Sequence, residues 1–130
     1  NISRDVVEDS KNNRSYISHD FETIKETLKI ADLFYESCFS SIKKIPISFR
    51  FSILVARRVY RKIGQNILNK KSIENYNISG KIYVTNIGKI ILTLLSFVDL
   101  LRLSLIKDKD HLRYKEHQLI NEEIDLNERL

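Results

Sequence analysis

Asp5 and Asp9 stand four residues apart in the stretch NISRDVVEDSKNNRSY, residues 1–16. On an α-helix that spacing puts both carboxylates on one face, one turn apart. Asn1, four residues earlier, extends the stripe to three oxygen donors. Hard cations such as Mg²⁺ (or Mn²⁺) take one or two carboxylates and leave the rest of their shell to water and substrate phosphate. Arg4 and Arg14 flank the stripe with guanidinium forks that suit phosphate oxygens. D-x-x-x-D on its own also describes a solvated acidic helix face. The surrounding string carries more information than the pair.

That string matches the pattern N-I-x-R-D-x-x-E-D-x-x-x-x-R-x-Y at every fixed position from Asn1 to Tyr16. It resembles the second aspartate-rich motif of the squalene/phytoene synthase family. Four further blocks are similar to family segments: ADLFYES at 31–37, KIPISFR at 44–50, ARRVYRKIG at 56–64 and YNISGKIYV at 76–84. The third looks like a bacterial phytoene synthase signature. In the fourth, an arginine is more usual where this chain has Lys81; lysine keeps the charge but loses the bidentate fork. The resemblance spans most of residues 1–106, and the charged tail 107–130 lies outside it.

The resemblance implies an all-α chain: the C-terminal helices of an isoprenoid (terpenoid) synthase-like fold, arranged around a central cavity. It implies a prenyltransferase that makes phytoene by head-to-head condensation of two geranylgeranyl diphosphates in carotenoid biosynthesis. Squalene- or dehydrosqualene-type condensation of farnesyl diphosphate is the alternative, as is a non-catalytic relative acting as an assembly factor. Asn1, Asp5 and Asp9 would hold Mg²⁺. Arg4, Arg14, Tyr16 and Lys81 would hold diphosphate. Tyr60 would line the cavity, where an aromatic face steadies a carbocation. No nicotinamide cofactor is expected. The first aspartate-rich motif would lie in a further N-terminal half, so this chain alone is expected to be inactive.

From the residues themselves, Tyr60 is equally well a core tyrosine with a bonded hydroxyl. Tyr16 is equally well a half-buried loop anchor. The single Cys38 excludes an internal disulfide and reads as a small buried hydrophobe on a helix. His19, His111 and His117 are scattered, with no metal-ligand spacing. Three glycines and no Gly-rich loop exclude a P-loop or dinucleotide fingerprint. No secretory signal is seen, and a reducing cytoplasmic setting is expected.

The net charge of +5 is unevenly placed. Residues 41–90 hold eleven Lys/Arg against one acid, Glu74. Such a block attracts polyanions or forms a solvated face. Nucleic acid is not expected as the partner, since no helix-turn-helix, zinc or RNP pattern accompanies the charge.

One proline and three glycines leave little to interrupt helices. A helix is expected from Ile2 to about Asp9, then a polar loop at 10–14. Ser18 or Asp20 caps a second helix running to about Ser41. Its apolar stripe holds Phe21, Ile24, Leu28, Ala31, Leu33, Phe34 and Cys38. The Ile45–Pro46 step marks a boundary. A long helix from about Ser48 to Lys70 follows, with Phe49, Ile53, Ala56, Val59, Tyr60, Ile63 and Ile67 inward and Arg57, Arg58, Arg61 and Lys62 on its other faces. Residues 71–85 form a connection, extended at 81–84. Ile87 to Ile106 is the most apolar run. Lys89, Asp99 and Arg102 interrupt it, each central charge costing about 2.5–3.5 kcal/mol in a bilayer. A core helix touching a membrane surface is expected, giving peripheral membrane association. The tail is expected to hold a short helix near Leu119–Leu126.

Overall fold

The computed structural model describes residues 2–107. Asn1 and the whole of the 119–126 helix expectation lie outside the described residues. Five α-helices and one 3₁₀ segment make up the architecture, and no strand occurs among the described residues. They are α1 (Ile2–Lys11), α2 (Phe21–Ser37), the 3₁₀ segment Ser40–Lys44, α3 (Ile47–Leu68), α4 (Ile73–Ile78) and α5 (Asn86–Leu105). The all-α expectation holds.

Local chemistry sets most boundaries. Asn13 takes a left-handed φ of 54° after α1. The Asn13 and Arg14 amides then return to the carbonyls of Ser10 (3.1 Å) and Asp9 (2.8 Å). This is a Schellman closure, in which asparagine tolerates the left-handed position. It carries α1 two residues past the expected end at Asp9. Asp20 caps α2, its carboxylate accepting from the Thr23 amide at 2.8 Å and the Thr23 hydroxyl at 2.7 Å. Pro46 caps α3, and Ile45 before it is extended, as a residue preceding proline must be. Thr85 caps α5 by accepting from the Gly88 amide.

Three expectations are corrected. The second helix stops at Ser37, not Ser41, and tightens into the 3₁₀ segment. Cys38 falls on that break and is exposed rather than buried. The connection 71–85 contains a helix, α4, nucleated by Ser72 accepting from the Asn75 amide at 3.3 Å. Lys81 to Val84 is an extended loop, as expected.

The core has two centres. Val6, Ile24, Ile63, Ile67, Tyr76, Ile82 and Val84 close one between α1, α2, α3 and α4. Ile42, Leu54 and Leu103 close the other between the 3₁₀ segment, α3 and α5. Gly64 lets α2 approach α3, since a Cβ there would lie 3.3 Å from Leu28 Cδ2. Buried α3 positions are Leu54, Arg57, Ile63 and Ile67. The expected inward residues Phe49 and Tyr60 are exposed, and Arg57, assigned to an outer face, is buried. The inward face of α3 is therefore rotated from the expected one. The flank of α5 stays open, with Ile87, Ile90, Leu94, Leu101 and Leu105 all exposed.

Candidate functional site

The structure sorts the sequence-derived site residues into two neighbouring groups. In the first, Arg4 forks onto the carboxylate of Asp5, with Nε to Oδ1 at 2.9 Å and Nη2 to Oδ2 at 2.8 Å. Lys81 reaches back to α1, with Nζ 2.6 Å from Glu8 Oε2 and 3.5 Å from Asp5 Oδ1. Hydrogen bonds from Arg4, aided by the Lys81 charge, hold the Asp5 carboxyl below its ordinary value. The hydrogen bond to Glu8 raises Lys81.

In the second group, Asp9, Arg14 and Tyr16 line a small cavity of about 40 Å³ together with His19. The Schellman closure places Arg14, because its amide is held by the Asp9 carbonyl. Tyr16 is 62% exposed, so it is no half-buried anchor. His19 was not singled out by the sequence; its Nε2 lies 2.9 Å from Asn77 Oδ1 and ties this loop to α4.

Tyr60 belongs with the first group. It sits outside the core, 44% exposed, and lines a cavity of about 560 Å³ whose walls include Val55, Val59, Ile63 and Val84. Arg4, Tyr83 and Lys89 also border this cavity. The result is an apolar chamber with cationic groups at one side. Ligand sites of this size are commonly apolar with a few polar groups to orient the ligand. Tyr83 and Lys89 escaped sequence reasoning. For Tyr83 the signal was the alternation at 81–84, which aims Ile82 and Val84 into the core and leaves Lys81 and Tyr83 outward.

Tyr76 holds the α1 half of this arrangement in place. Its ring is buried, and its hydroxyl reaches the carbonyls of Ser3 (3.1 Å) and Arg4 (3.0 Å). Burial raises its pKa.

No group of three or more Asp, Glu, His or Cys is gathered for a metal among the described residues. The donors on offer are the Asp5 and Asp9 carboxylates, one turn apart on α1. Two hard oxygens fit Mg²⁺ held jointly with substrate phosphate, not a cage made by protein alone. No helix among the described residues is long and apolar enough to cross a membrane.

Comparison of the chain with family models, curated proteins and solved structures finds no match.

Proposed function

We propose that this chain forms part of a prenyl-diphosphate condensing enzyme of the squalene/phytoene synthase type, acting on geranylgeranyl diphosphate to make phytoene. The observation that carries this reading is the pairing of the apolar 560 Å³ cavity with the Arg4, Asp5 and Lys81 cluster beside it. A prenyl diphosphate has that polarity: a long hydrocarbon joined to a compact polyanion.

In this reading the hydrocarbon lies against Val55, Val59 and Ile63, along an apolar groove open at one side. Arg4 and Lys81 meet the diphosphate as charge builds on the leaving group. To do so they turn from Asp5 and Glu8, which frees the Asp5 carboxylate for Mg²⁺. Asp5 and Asp9 would hold Mg²⁺, and the metal would supply charge neutralisation for the departing diphosphate. The Tyr60 ring stands at the chamber wall, where its face attracts positive charge. Arg14 and Tyr16 complete the anion contacts from the adjacent loop.

The open flank of α5 fits two further features of the reading. It offers apolar surface to the other half of the synthase fold and to a membrane surface that receives an apolar product. A second reading, a non-catalytic relative, is favoured by the fork of Arg4 on Asp5, which occupies the carboxylate meant for metal.

The deciding experiment supplies the full-length protein with Mg²⁺ and geranylgeranyl or farnesyl diphosphate. Phytoene from the first is expected. A squalene-type product from the second would move the assignment to that branch. No condensation from either would favour the non-catalytic relative.

A further inference from the structure

On the side of α3 away from α1, a second concavity of about 320 Å³ opens between α2, α3 and α5. Its volume is that of about ten waters of liquid. Cations dominate it: Arg57, Arg58, Arg61 and Lys62 from α3 and Arg102 from α5. Three carboxylates answer them. Asp99 takes a fork from Arg58, at 2.5 and 2.8 Å. Asp32 takes a fork from Arg61, at 2.6 and 3.0 Å. Glu36 Oε1 is shared, 2.5 Å from Arg61 and 3.4 Å from Arg57. Lys62 and Arg102 pair with no carboxylate among the described residues.

Arg57 sharpens the imbalance. Its side chain is 9% exposed. It is fixed by the Tyr35 carbonyl at 2.9 Å and stacked with its guanidinium carbon 4.9 Å from the Phe39 ring centre. Among the described residues, its sole carboxylate contact is the long, shared one to Glu36. Burial, then repulsion from Arg61, lowers its pKa. A buried guanidinium with half a counter-charge is costly unless another anion completes it.

We infer that this cleft binds a compact, multivalent phosphate-bearing anion between α3 and α5. Positive groups stand on both walls, so a ligand with more than one anionic centre engages more of them than a single phosphate does. Guanidinium forks match phosphoryl oxygens. The concave shape selects a small anion over an extended polyanion backbone. This site stands on the face of α3 opposite the apolar chamber, and it does not rest on the prenyl-diphosphate reading.

The test is a titration of the protein with inorganic pyrophosphate in the presence of a chelator, so that no divalent metal bridges to Asp5 or Asp9. Calorimetry is expected to give a saturable site with Kd below roughly 1 mM. Lys62→Gln with Arg102→Gln is expected to weaken it at least tenfold, whereas Lys25→Gln, on the exposed face of α2, leaves it within twofold. No binding up to roughly 10 mM pyrophosphate, or unchanged binding by the double variant, would overturn the assignment. Wild-type protein gives an independent check through the arginine Nε–Hε resonances. Pyrophosphate should move those of Arg57 and Arg102; movement confined to Arg4 and Arg14 would sink the proposal. Phosphatidylglycerol vesicles separate a lipid headgroup from a free anion. Shifts at Arg57 and Arg102 with vesicles but not with pyrophosphate would overturn the free-anion assignment.

Discussion

On the α1 side of α3, Arg4 and Lys81 meet Asp5 and Glu8 one for one. On the opposite side Arg57, Arg58 and Arg61 divide Glu36, Asp99 and Asp32 among them, while Lys62 and Arg102 add charge without a partner among the described residues. The first region is a balanced cluster beside an apolar chamber. It takes in a polyanion only by rearranging its pairs or by adding a metal. The second is unbalanced and needs only the anion. Two segments of similar residue types thus differ in what they ask of a ligand, and the difference lies in the ratio of carboxylates to cations.

The largest expected effect falls on the balanced cluster. Asp5→Ala in the full-length enzyme should lower turnover by roughly 10²–10³-fold, as loss of a group that acts on transition-state charge does. Near-normal rates would remove Asp5 from the site and erase the functional half of the contrast. Next comes Asp99→Ala, which strands Arg58 beside a buried position. Asp99 is 3% exposed, and breaking a buried pair costs about 3 kcal/mol where one charge is left uncompensated. Urea unfolding measures it. A loss near zero would show that the cleft tolerates another unpaired guanidinium. Tyr76→Phe should cost about 1 kcal/mol, the net worth of one hydrogen bond, again by urea unfolding.

The smallest effect is in pH dependence. Asp5 has a lowered folded pKa, so its stabilisation is present above the ordinary carboxylate value of about 4 and is lost as pH falls through the folded value. Asp5→Asn should flatten that acid limb in urea midpoints. Tyr76 has a raised folded pKa. Its contribution is intact below about pH 10 and is lost as pH rises through the folded value. Tyr76→Phe should therefore flatten the alkaline limb and leave the acid limb alone.

What the sequence made legible was mostly local. Asp20 and Pro46 announced their helix starts because a cap bonds within one turn and proline restricts its neighbour. The alternation at 81–84 could look like a short strand, but the run is the extended loop expected there. What stayed hidden depended on distant partners. Arg57 looks like an outward charge until the Tyr35 carbonyl, 22 residues earlier, is found against it. Lys81 meets Glu8 across 73 residues, and no spacing rule reports that. The helix α4 was obscured by its asparagines, which favour turns as readily as helices. Cys38 was misread because the stripe of α2 was carried past the point where the backbone tightens.

The bond from the Tyr76 hydroxyl to the carbonyl of Ser3 also spans 73 residues. Closing a long loop must be offset by the contacts it gains, so such links form late in folding. On a ribosome, α1 is made before the α2 and α3 residues that Val6 packs against, and its links to Tyr76 and Lys81 come later still. A ten-residue helix is too short to persist alone in water, so the acidic motif depends on partners synthesised after it. A stall in translation before α2 should leave α1 more accessible to protease than a stall well beyond Lys81.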